Sequence, residues 1–327
     1  MRRRELLSSS FGLPLVAGAA SLAGCAGDPL VDADAPAASR GPLTPWRVVS
    51  GGFLTPPPQP GQLPRPGTGM FVKLVAPTAI ALRGPDLLVA DAGSGRVWRI
   101  DPAFNHASGI AGVPVTPQTA LMLGPDLSAW VLDAGARQVL RFARDGRLLQ
   151  TYRIDTALPA PVALALADGG ATLLVADGMG AQWGEQRSPA GLGVRVAPRA
   201  GAGDGATRVG SVDAIVAAGR ELVVLDRLAA TVHRVARDGR VLATLGRGEL
   251  VQPSAMAVDR EGRIFVVDDA QRALVVLREG LPARRFGAAE LGLQRIGAVA
   301  LDERVLALAD APLGQVQLFL IAAGDWP

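Results

Sequence analysis

The stretch PSAMAVDREGRIFVVDD, residues 253–269, contains two short apolar segments separated by a polar turn, and the second segment ends in aspartate. A related stretch, PTAIALRGPDLLVAD, occupies residues 77–91. The aspartate at the end of the apolar run recurs six times, at Asp91, Asp133, Asp177, Asp226, Asp268 and Asp310. Successive copies are 42–49 residues apart. A period of this length with several short strands in each unit is typical of a β-propeller.

Each repeat contains enough further pattern for four strands. A third apolar segment, such as residues 97–100 (VWRI), starts about six residues after the aspartate. The sequence ARDGR then occurs twice, at residues 143–147 and 236–240, and contains the Asp-Gly pair that short hairpin turns prefer. Six units of four antiparallel strands predict an all-β, six-bladed propeller.

The last repeat ends after its third strand, at about residue 322. We expect the N-terminal segment 46–53 to supply the missing outer strand, so that the first and last blades pair and the ring closes without a long open edge. The propeller domain is therefore predicted to span residues 46–327.

Two elements of the repeat resemble those of a known family. The combination of Pro-x-x-Ile/Met-Ala with Val-x-Asp, followed by an arginine four or five residues later (Arg96, Arg137, Arg272), is similar to the NHL repeat over roughly residues 70–322. The Asn and His positions of that family are absent, so these are divergent copies. The resemblance implies an NHL-like propeller. Most such propellers are binding platforms, and a minority of related six-bladed propellers are enzymes.

The N-terminus resembles a bacterial lipoprotein signal peptide, assigned to residues 1–24. Three arginines at positions 2–4 precede an apolar segment at residues 11–20 that is too short to span a bilayer. Leu22-Ala23-Gly24-Cys25 then matches the lipobox, and Cys25, the chain's single cysteine, is the predicted lipidation site. The alternative is an ordinary buried thiol. Arg3 and Arg4 also leave twin-arginine export open beside the general secretory route.

Residues 25–45 are rich in Ala, Asp and Pro and are predicted to be a flexible tether from the lipidated cysteine. Ala26 follows Cys25, which in Gram-negative lipoproteins implies the outer membrane. Assuming a Gram-negative cell, we expect the domain to face the periplasm. Its predicted partners are the membrane, through the acyl anchor, and a protein, peptide or polymer of the cell envelope.

The charge pattern argues against nucleic-acid binding. The formal charge is +3 and the isoelectric point about 9.9, but residues 1–24 carry +2 of that charge. Without them the charge is about +1, since 3 − 2 = 1. The remaining arginines are interspersed with acidic residues, without a basic run or a basic helix.

The order of strands divides the loops between two faces. The turns that join strands one and two, and strands three and four, lie on what we call the hairpin face. The loops that join strands two and three, and the links between blades, lie on the connector face. Two predicted insertions, residues 54–70 and 178–194, and all six recurring aspartates belong to the connector face, which we therefore predict to bind the partner. The candidate residues of the second insertion are Met179, Gln182, Trp183 and Arg187.

Structural roles compete with binding at these positions. A strand-ending aspartate commonly accepts hydrogen bonds from the backbone amides of a nearby turn, or pairs with an arginine such as Arg96, Arg137 or Arg272. Trp183 is either a packing residue or, if exposed, an interface anchor.

Catalytic and metal-binding chemistry finds little support in the composition. Asn105 is the single asparagine, and His106 and His233 are the two histidines, too few for a zinc site. A Ser-His-Asp triad would need one of these histidines, and no arrangement in the sequence favours one. Calcium held by carboxylates and backbone oxygens, at 268–269 or 302–303, stays open. We predict no cofactor and no catalytic residue, in a monomeric binding domain. The alternative is a lactonase-like, metal-dependent or metal-free propeller hydrolase or lyase that uses carboxylates of the central channel. Clustered carboxylates at the channel mouth would favour it, and arginine-paired carboxylates would oppose it. A propeller of redox type that binds a small molecule or cofactor also stays open.

Overall fold

The computed structural model describes residues 41–54, 69–186, 209–324 and 326. Within these ranges the chain forms six separate sheets and no α-helix. The sheets follow one another along the chain and each packs against the next, so the predicted six-bladed β-propeller is confirmed. We number the blades 1 to 6 in chain order.

The blades run from an inner strand to an outer strand. The first three consist of the following strands: in blade 1, β4 (Pro77–Arg83), β5 (Asp86–Asp91), β6 (Arg96–Asp101) and β7 (His106–Ile110); in blade 2, β8 (Ala120–Leu123), β9 (Ala129–Asp133), β10 (Gln138–Phe142) and β11 (Leu148–Arg153); in blade 3, β12 (Pro161–Ala167), β13 (Thr172–Asp177) and β14 (Gln182–Gln186). A 3₁₀ turn, Asp168–Gly170, joins β12 to β13.

The other three blades repeat the pattern. Their strands are, in blade 4, β15 (Ala214–Ala218), β16 (Glu221–Asp226), β17 (Thr231–Ala236) and β18 (Val241–Leu245); in blade 5, β19 (Pro253–Val258), β20 (Ile264–Asp268), β21 (Ala273–Leu277) and β22 (Arg284–Gly287); in blade 6, β23 (Ala298–Asp302), β24 (Val305–Asp310) and β25 (Gln315–Ile321).

The ring is closed by an N-terminal strand, as predicted, but with different bounds. Strand β1 (Leu43–Val49) pairs antiparallel with β25 and becomes the fourth strand of blade 6. The predicted segment 46–53 is therefore divided, because β2 (Gly51–Leu54) leaves blade 6 and pairs in parallel with β7 of blade 1. Strand β3 (Met70–Lys73) then pairs with β2 and extends that sheet to six strands. One short segment thus joins the first and last blades.

The core lies between neighbouring blades, and the second strand of each blade explains how. Side chains alternate between the two faces of a strand, so β20 contributes to two clusters. Ile264 and Val266 pack towards blade 4, whereas Phe265 and Val267 pack towards blade 6. All four are at most 2% exposed, and each contributes roughly 1.5–3 kcal/mol by burial. This is why the second strands read as continuous apolar runs.

Blade 3 is more regular than its sequence indicates. The interpretation of residues 178–194 as one inserted loop is wrong for residues 182–186, because these form β14, paired with β13 from Asp177–Gln182 onward. Close packing accounts for Gly184 in this strand, since a Cβ there would lie 2.7 Å from Leu158 Cδ1. Within the described residues, blade 3 has three strands. The other predicted insertion lies almost entirely outside the described residues.

Candidate functional site: the connector face

The six recurring aspartates end the second strands at the connector face, and all are buried. Five are 0% exposed and Asp133 is 7% exposed. A carboxylate removed from water must be compensated by hydrogen bonds or by a counter-charge. Their partners therefore determine what these residues do.

Backbone amides are the main partners. Asp268 accepts hydrogen bonds from the amides of Val251 (2.7 Å), Gln252 (3.2 Å) and Gln271 (3.0 Å). Val251 and Gln252 belong to the link that enters blade 5, and Gln271 belongs to the loop that follows β20. One carboxylate thus fixes two neighbouring loops.

The same arrangement recurs in most blades. The link amide that donates to the aspartate belongs to Ala76 in blade 1, Ala160 in blade 3, Gly210 in blade 4 and Gln294 in blade 6. Blade 2 differs, because the amide of Thr116 bonds the Thr119 hydroxyl instead. Asp133 is left with the Ala136 amide and the Gln138 side chain. It is also the most exposed of the six.

Two of the carboxylates show the electrostatic result of these bonds. Burial alone would raise the pKa of Asp226, but His233 and the amides of Gly210 and Ala229 outweigh it and lower the pKa to about 2. For Asp268, burial again acts to raise the pKa, and the amides of Val251 and Gln271 lower it. Both side chains are therefore ionised at neutral pH and held by structural partners.

The predicted arginine partners are wrong. Among the described residues, Arg96 packs over the Trp98 ring at 5.7 Å, and Arg137 donates to three backbone carbonyls, including that of Leu158. Arg272 has a left-handed backbone conformation (φ 51°). Side-chain amides take the predicted place of the guanidinium groups: Gln138, Gln182 and Gln271 bond their aspartates.

The loops held by these aspartates expose apolar side chains. We call this set the apolar arc, and its members are Val75, Met179, Leu228, Val251 and Leu313, exposed by 55%, 76%, 80%, 62% and 36%. Four of the five donate their own backbone amide to a recurring aspartate, and the fifth, Leu228, precedes the donor Ala229. The backbone of each position is therefore fixed while its side chain faces solvent.

Close approaches join neighbouring loops of the apolar arc. A Cβ on Gly314 would lie 2.6 Å from the carbonyl oxygen of Leu74, so the loops that carry Leu313 and Val75 are in contact. A Cβ on Gly210 would lie 3.7 Å from Leu228 Cβ, and one on Gly178 would lie 3.7 Å from Asp213 Oδ1. These approaches join the loops of blades 6 and 1 and those of blades 3 and 4, and the connector face presents apolar positions from blades 1, 3, 4, 5 and 6.

The sequence candidates divide between this surface and the core. Met179 belongs to the apolar arc, and Gln182 bonds Asp177 and the carbonyl of Ala157. Trp183 is 3% exposed and packs against blade 4, which is the packing alternative, so its indole is not available to a partner. Arg187 lies outside the described residues.

Four members of the apolar arc were missed by the sequence analysis. The signal for them was a large apolar residue at a loop position where other repeats carry a small or polar one. Val251, for example, occupies the position of Gly210 in blade 4 and Gln294 in blade 6, since all three amides donate to the recurring aspartate.

A cleft of about 820 Å³ opens on the opposite, hairpin face near blades 4, 5 and 6. Its carboxylates are partnered. Asp259 is buried against Arg263 (2.5 Å), and Glu221 and Glu279 both bind Arg234. Glu303 pairs with Arg260, and Asp302 accepts the amide of Gly84 from blade 1 (2.6 Å). Most of these contacts join one blade to the next.

Metal-binding geometry is not found in the part of the chain that the structure describes. No group of three or more His, Cys, Asp or Glu side chains there could hold a metal ion. His233 is buried between Thr231 and Thr244, whereas His106 begins β7. Within the same residues, no helix is long and apolar enough to cross a membrane. The predicted signal peptide, Cys25 and most of the predicted tether lie outside the described residues.

Comparison with known proteins supports the fold. No protein-family model and no curated protein matches the chain. A solved protein of unknown function from Bacteroides thetaiotaomicron is 13% identical, with a TM-score of 0.59 over 79% of this chain and 72% of that one. Virginiamycin B lyase from Staphylococcus aureus is 10% identical, with a TM-score of 0.54 over 76% and 96%. The WD40 β-propeller domain of Doa1 is 11% identical, with a TM-score of 0.52 over 74% and 77%. At these identities the likeness shows the fold alone, and the chain is a six-bladed β-propeller.

Proposed function

We propose that this protein is a lipid-anchored, NHL-like propeller of the cell envelope that binds a protein or peptide through its connector face and catalyses nothing. The apolar arc is the observation that carries the proposal. Five large apolar side chains are exposed on loops whose backbones are fixed by buried carboxylates. Exposed apolar groups on a preorganised surface are what a protein interface requires.

The proposed lipid anchor and cellular location rest on the sequence. The lipobox at Leu22–Cys25 supports acylation of Cys25, and Ala26 supports retention at the outer membrane, facing the periplasm. Replacing Cys25 with Ser should abolish incorporation of labelled fatty acid and move the protein from the membrane fraction to the soluble fraction. Continued labelling of the Cys25→Ser variant would refute the anchor.

The alternative, a propeller hydrolase or lyase, loses support at the hairpin face. That reading requires carboxylates at the channel mouth that are available to act on a substrate. The carboxylates that line the cleft are bonded to arginines or to a backbone amide, as described above. We therefore favour the binding module.

A paired substitution tests the proposal. In the full-length lipidated protein, Met179, Leu228 and Val251 are changed to Ser. The matched control changes Leu148, Leu149 and Leu242, which are exposed by 49%, 41% and 39% on outer strands. Both variants should unfold at the temperature of the native protein, because the altered side chains already face water.

Crosslinked envelope is then fractionated with each protein. A partner should be recovered with the native chain and the outer-strand control, and lost with the variant of the apolar arc. Equal recovery with all three proteins would place the interface elsewhere and overturn the proposal.

A further inference from the structure

We infer that the partner meets the apolar arc with an acidic segment, in which Asp or Glu residues accompany apolar side chains. This inference rests on the proposed function and adds the charge of the partner to it. It is carried by the way charged groups are distributed over the connector face.

Arginines surround the apolar arc. Arg227 directly precedes Leu228, and Arg272 lies in the loop after β20, beside the link that carries Val251. Among the described residues, the exposed arginines at this face include Arg96, which begins β6, and the loop and link residues Arg227, Arg247, Arg272 and Arg295. Arg295 lies 3.5 Å from Asp269, an exposed contact that screening by salt makes weak.

The acids of the same face are mostly withdrawn from the surface. The six recurring aspartates are buried, and their charge is directed to backbone amides and, in blade 4, to His233. Asp213 is half-buried and accepts hydrogen bonds from the Ser211 hydroxyl and the Arg227 amide. Of the described links, exposed acids remain at Asp155 and Glu290, and the Glu290 carboxylate accepts the amide of Gly287. The Glu249 side chain is also 42% exposed, but it pairs with Arg285. Over the described residues, the solvent therefore meets mainly apolar and cationic side chains on this face.

A complementary partner follows from this composition. Apolar side chains would cover Met179, Leu228 and Val251, and carboxylates would pair with the surrounding arginines at the rim. Rim charges of this kind speed association and select the partner more than they tighten binding. Arginine beside apolar side chains is also the composition that protein interfaces favour.

A peptide fits the placement better than an anionic lipid surface does. Val75 and Val251 lie two residues before the inner strands β4 and β19, which places them towards the centre of the ring. Met179, Leu228 and Leu313 lie in loops farther out, between second and third strands. Apolar residues at several radii around the ring suit a chain laid across the face, whereas interfacial membrane binding buries one continuous apolar face.

The test uses two synthetic peptides with the same alternating leucines, one with Glu and the other with Lys at the remaining positions. Binding to the full-length protein is measured by fluorescence anisotropy at 50 and 300 mM NaCl, concentrations that bracket physiological screening. The variant changes Arg227, Arg272 and Arg295 to Glu. The matched control changes Arg83, Arg220 and Arg240 to Glu, three exposed arginines of the hairpin face.

The Glu peptide should bind the native protein and the hairpin-face control alike. It should bind the connector-face variant about tenfold more weakly, and the native protein more weakly at the higher salt. Equal binding of both peptides, or preference for the Lys peptide, overturns the inference. So does displacement of the Glu peptide by phosphatidylglycerol vesicles but not by excess unlabelled Glu peptide.

Failure of the inference is distinguishable from failure of the proposed function. If the Ser variant of the apolar arc loses the envelope partner while the Arg→Glu variant retains it, the binding face stands and the acidic partner is excluded. If the Ser variant retains the partner, the binding face itself is excluded.

Discussion

The carboxylates of the connector face accept hydrogen bonds from backbone amides, whereas those of the hairpin face pair mainly with arginines. Asp268 is held by three amides and the Gln271 side chain, and Asp259 by the guanidinium and backbone amide of Arg263. Both side chains are buried in the same blade. Hydrogen bonds from backbone amides fix the loop backbones and leave the loop side chains available to a partner. In an arginine–carboxylate pair, both side chains are already engaged. This difference makes the connector face, although the cleft lies on the hairpin face, the better candidate for binding.

The largest effect on stability is expected when Arg263 of the hairpin face is replaced. Its side chain is 5% exposed and its partner Asp259 is 0% exposed, so Arg263→Ala would leave a buried carboxylate without its counter-charge. We expect the free energy of unfolding to fall by about 3–5 kcal/mol, measured by urea denaturation. A loss below about 1 kcal/mol would show that the hairpin-face pair is not a structural element.

The connector face should respond according to the number of amides each aspartate holds. Asp268→Ala orphans four donor groups, and Asp133→Ala orphans two. We expect losses of about 2–4 kcal/mol for Asp268 and about 1–2 kcal/mol for Asp133, because each orphaned buried group carries a desolvation cost. Thermal and urea unfolding of the two variants gives the comparison. The reverse order would contradict the role assigned to the link amides.

Measuring the free energy of unfolding against pH tests how much the charge of Asp226, on the connector face, contributes to stability. The pKa of Asp226 is about 2 in the folded protein, below the value of about 3.9 expected for an unfolded chain. A lowered folded-state pKa stabilises the protein above the unfolded pKa, and this contribution is lost as the pH falls from about 4 to about 2. The advantage of the native protein over Asp226→Asn should therefore shrink by about 2 kcal/mol across that window. A constant difference between pH 5 and pH 2 would be inconsistent with the lowered pKa.

The smallest effect is expected at Arg260, three residues from Arg263 on the same turn. Its side chain is 77% exposed and its partner Glu303 is 66% exposed, at 3.3 Å. Arg260→Ala should change the free energy of unfolding by less than about 1 kcal/mol, because solvent and salt screen an exposed pair. It also serves as the control for Arg263→Ala, and similar losses for both variants would remove the distinction between buried and surface pairs.

The repeat made the architecture predictable, because each copy carries both the period of the propeller and the alternation of its strands. Asp268 and its five counterparts could be placed at the ends of second strands from spacing alone. Their amide partners in the same repeat were also among the expected roles. The glutamine partners were not predictable, since they follow the aspartates at variable distances of three or five residues.

Blade 3 shows where sequence reasoning fails for a physical reason. Gln182–Gln186 lacks the apolar alternation of the other third strands, yet backbone pairing with β13 and close packing of Gly184 against Leu158 make it a strand. Met179 was the one member of the apolar arc predicted from the sequence. The other four could be found only by comparing equivalent loop positions between repeats, because a single valine such as Val251 does not show by itself whether it is buried.

The position of β1 bears on the order of events during synthesis. Leu43 pairs with Ile321, so the first strand of the described domain pairs with its last. Until blade 6 emerges from the ribosome, β1 has no partner strand and the ring remains open between its first and last blades. Contacts between such distant parts of a chain form slowly, and an open blade edge invites pairing with other chains. Closure of the ring therefore depends on blade 6, and we expect a truncation that removes β1 to expose β25 to aggregation rather than merely shorten the protein.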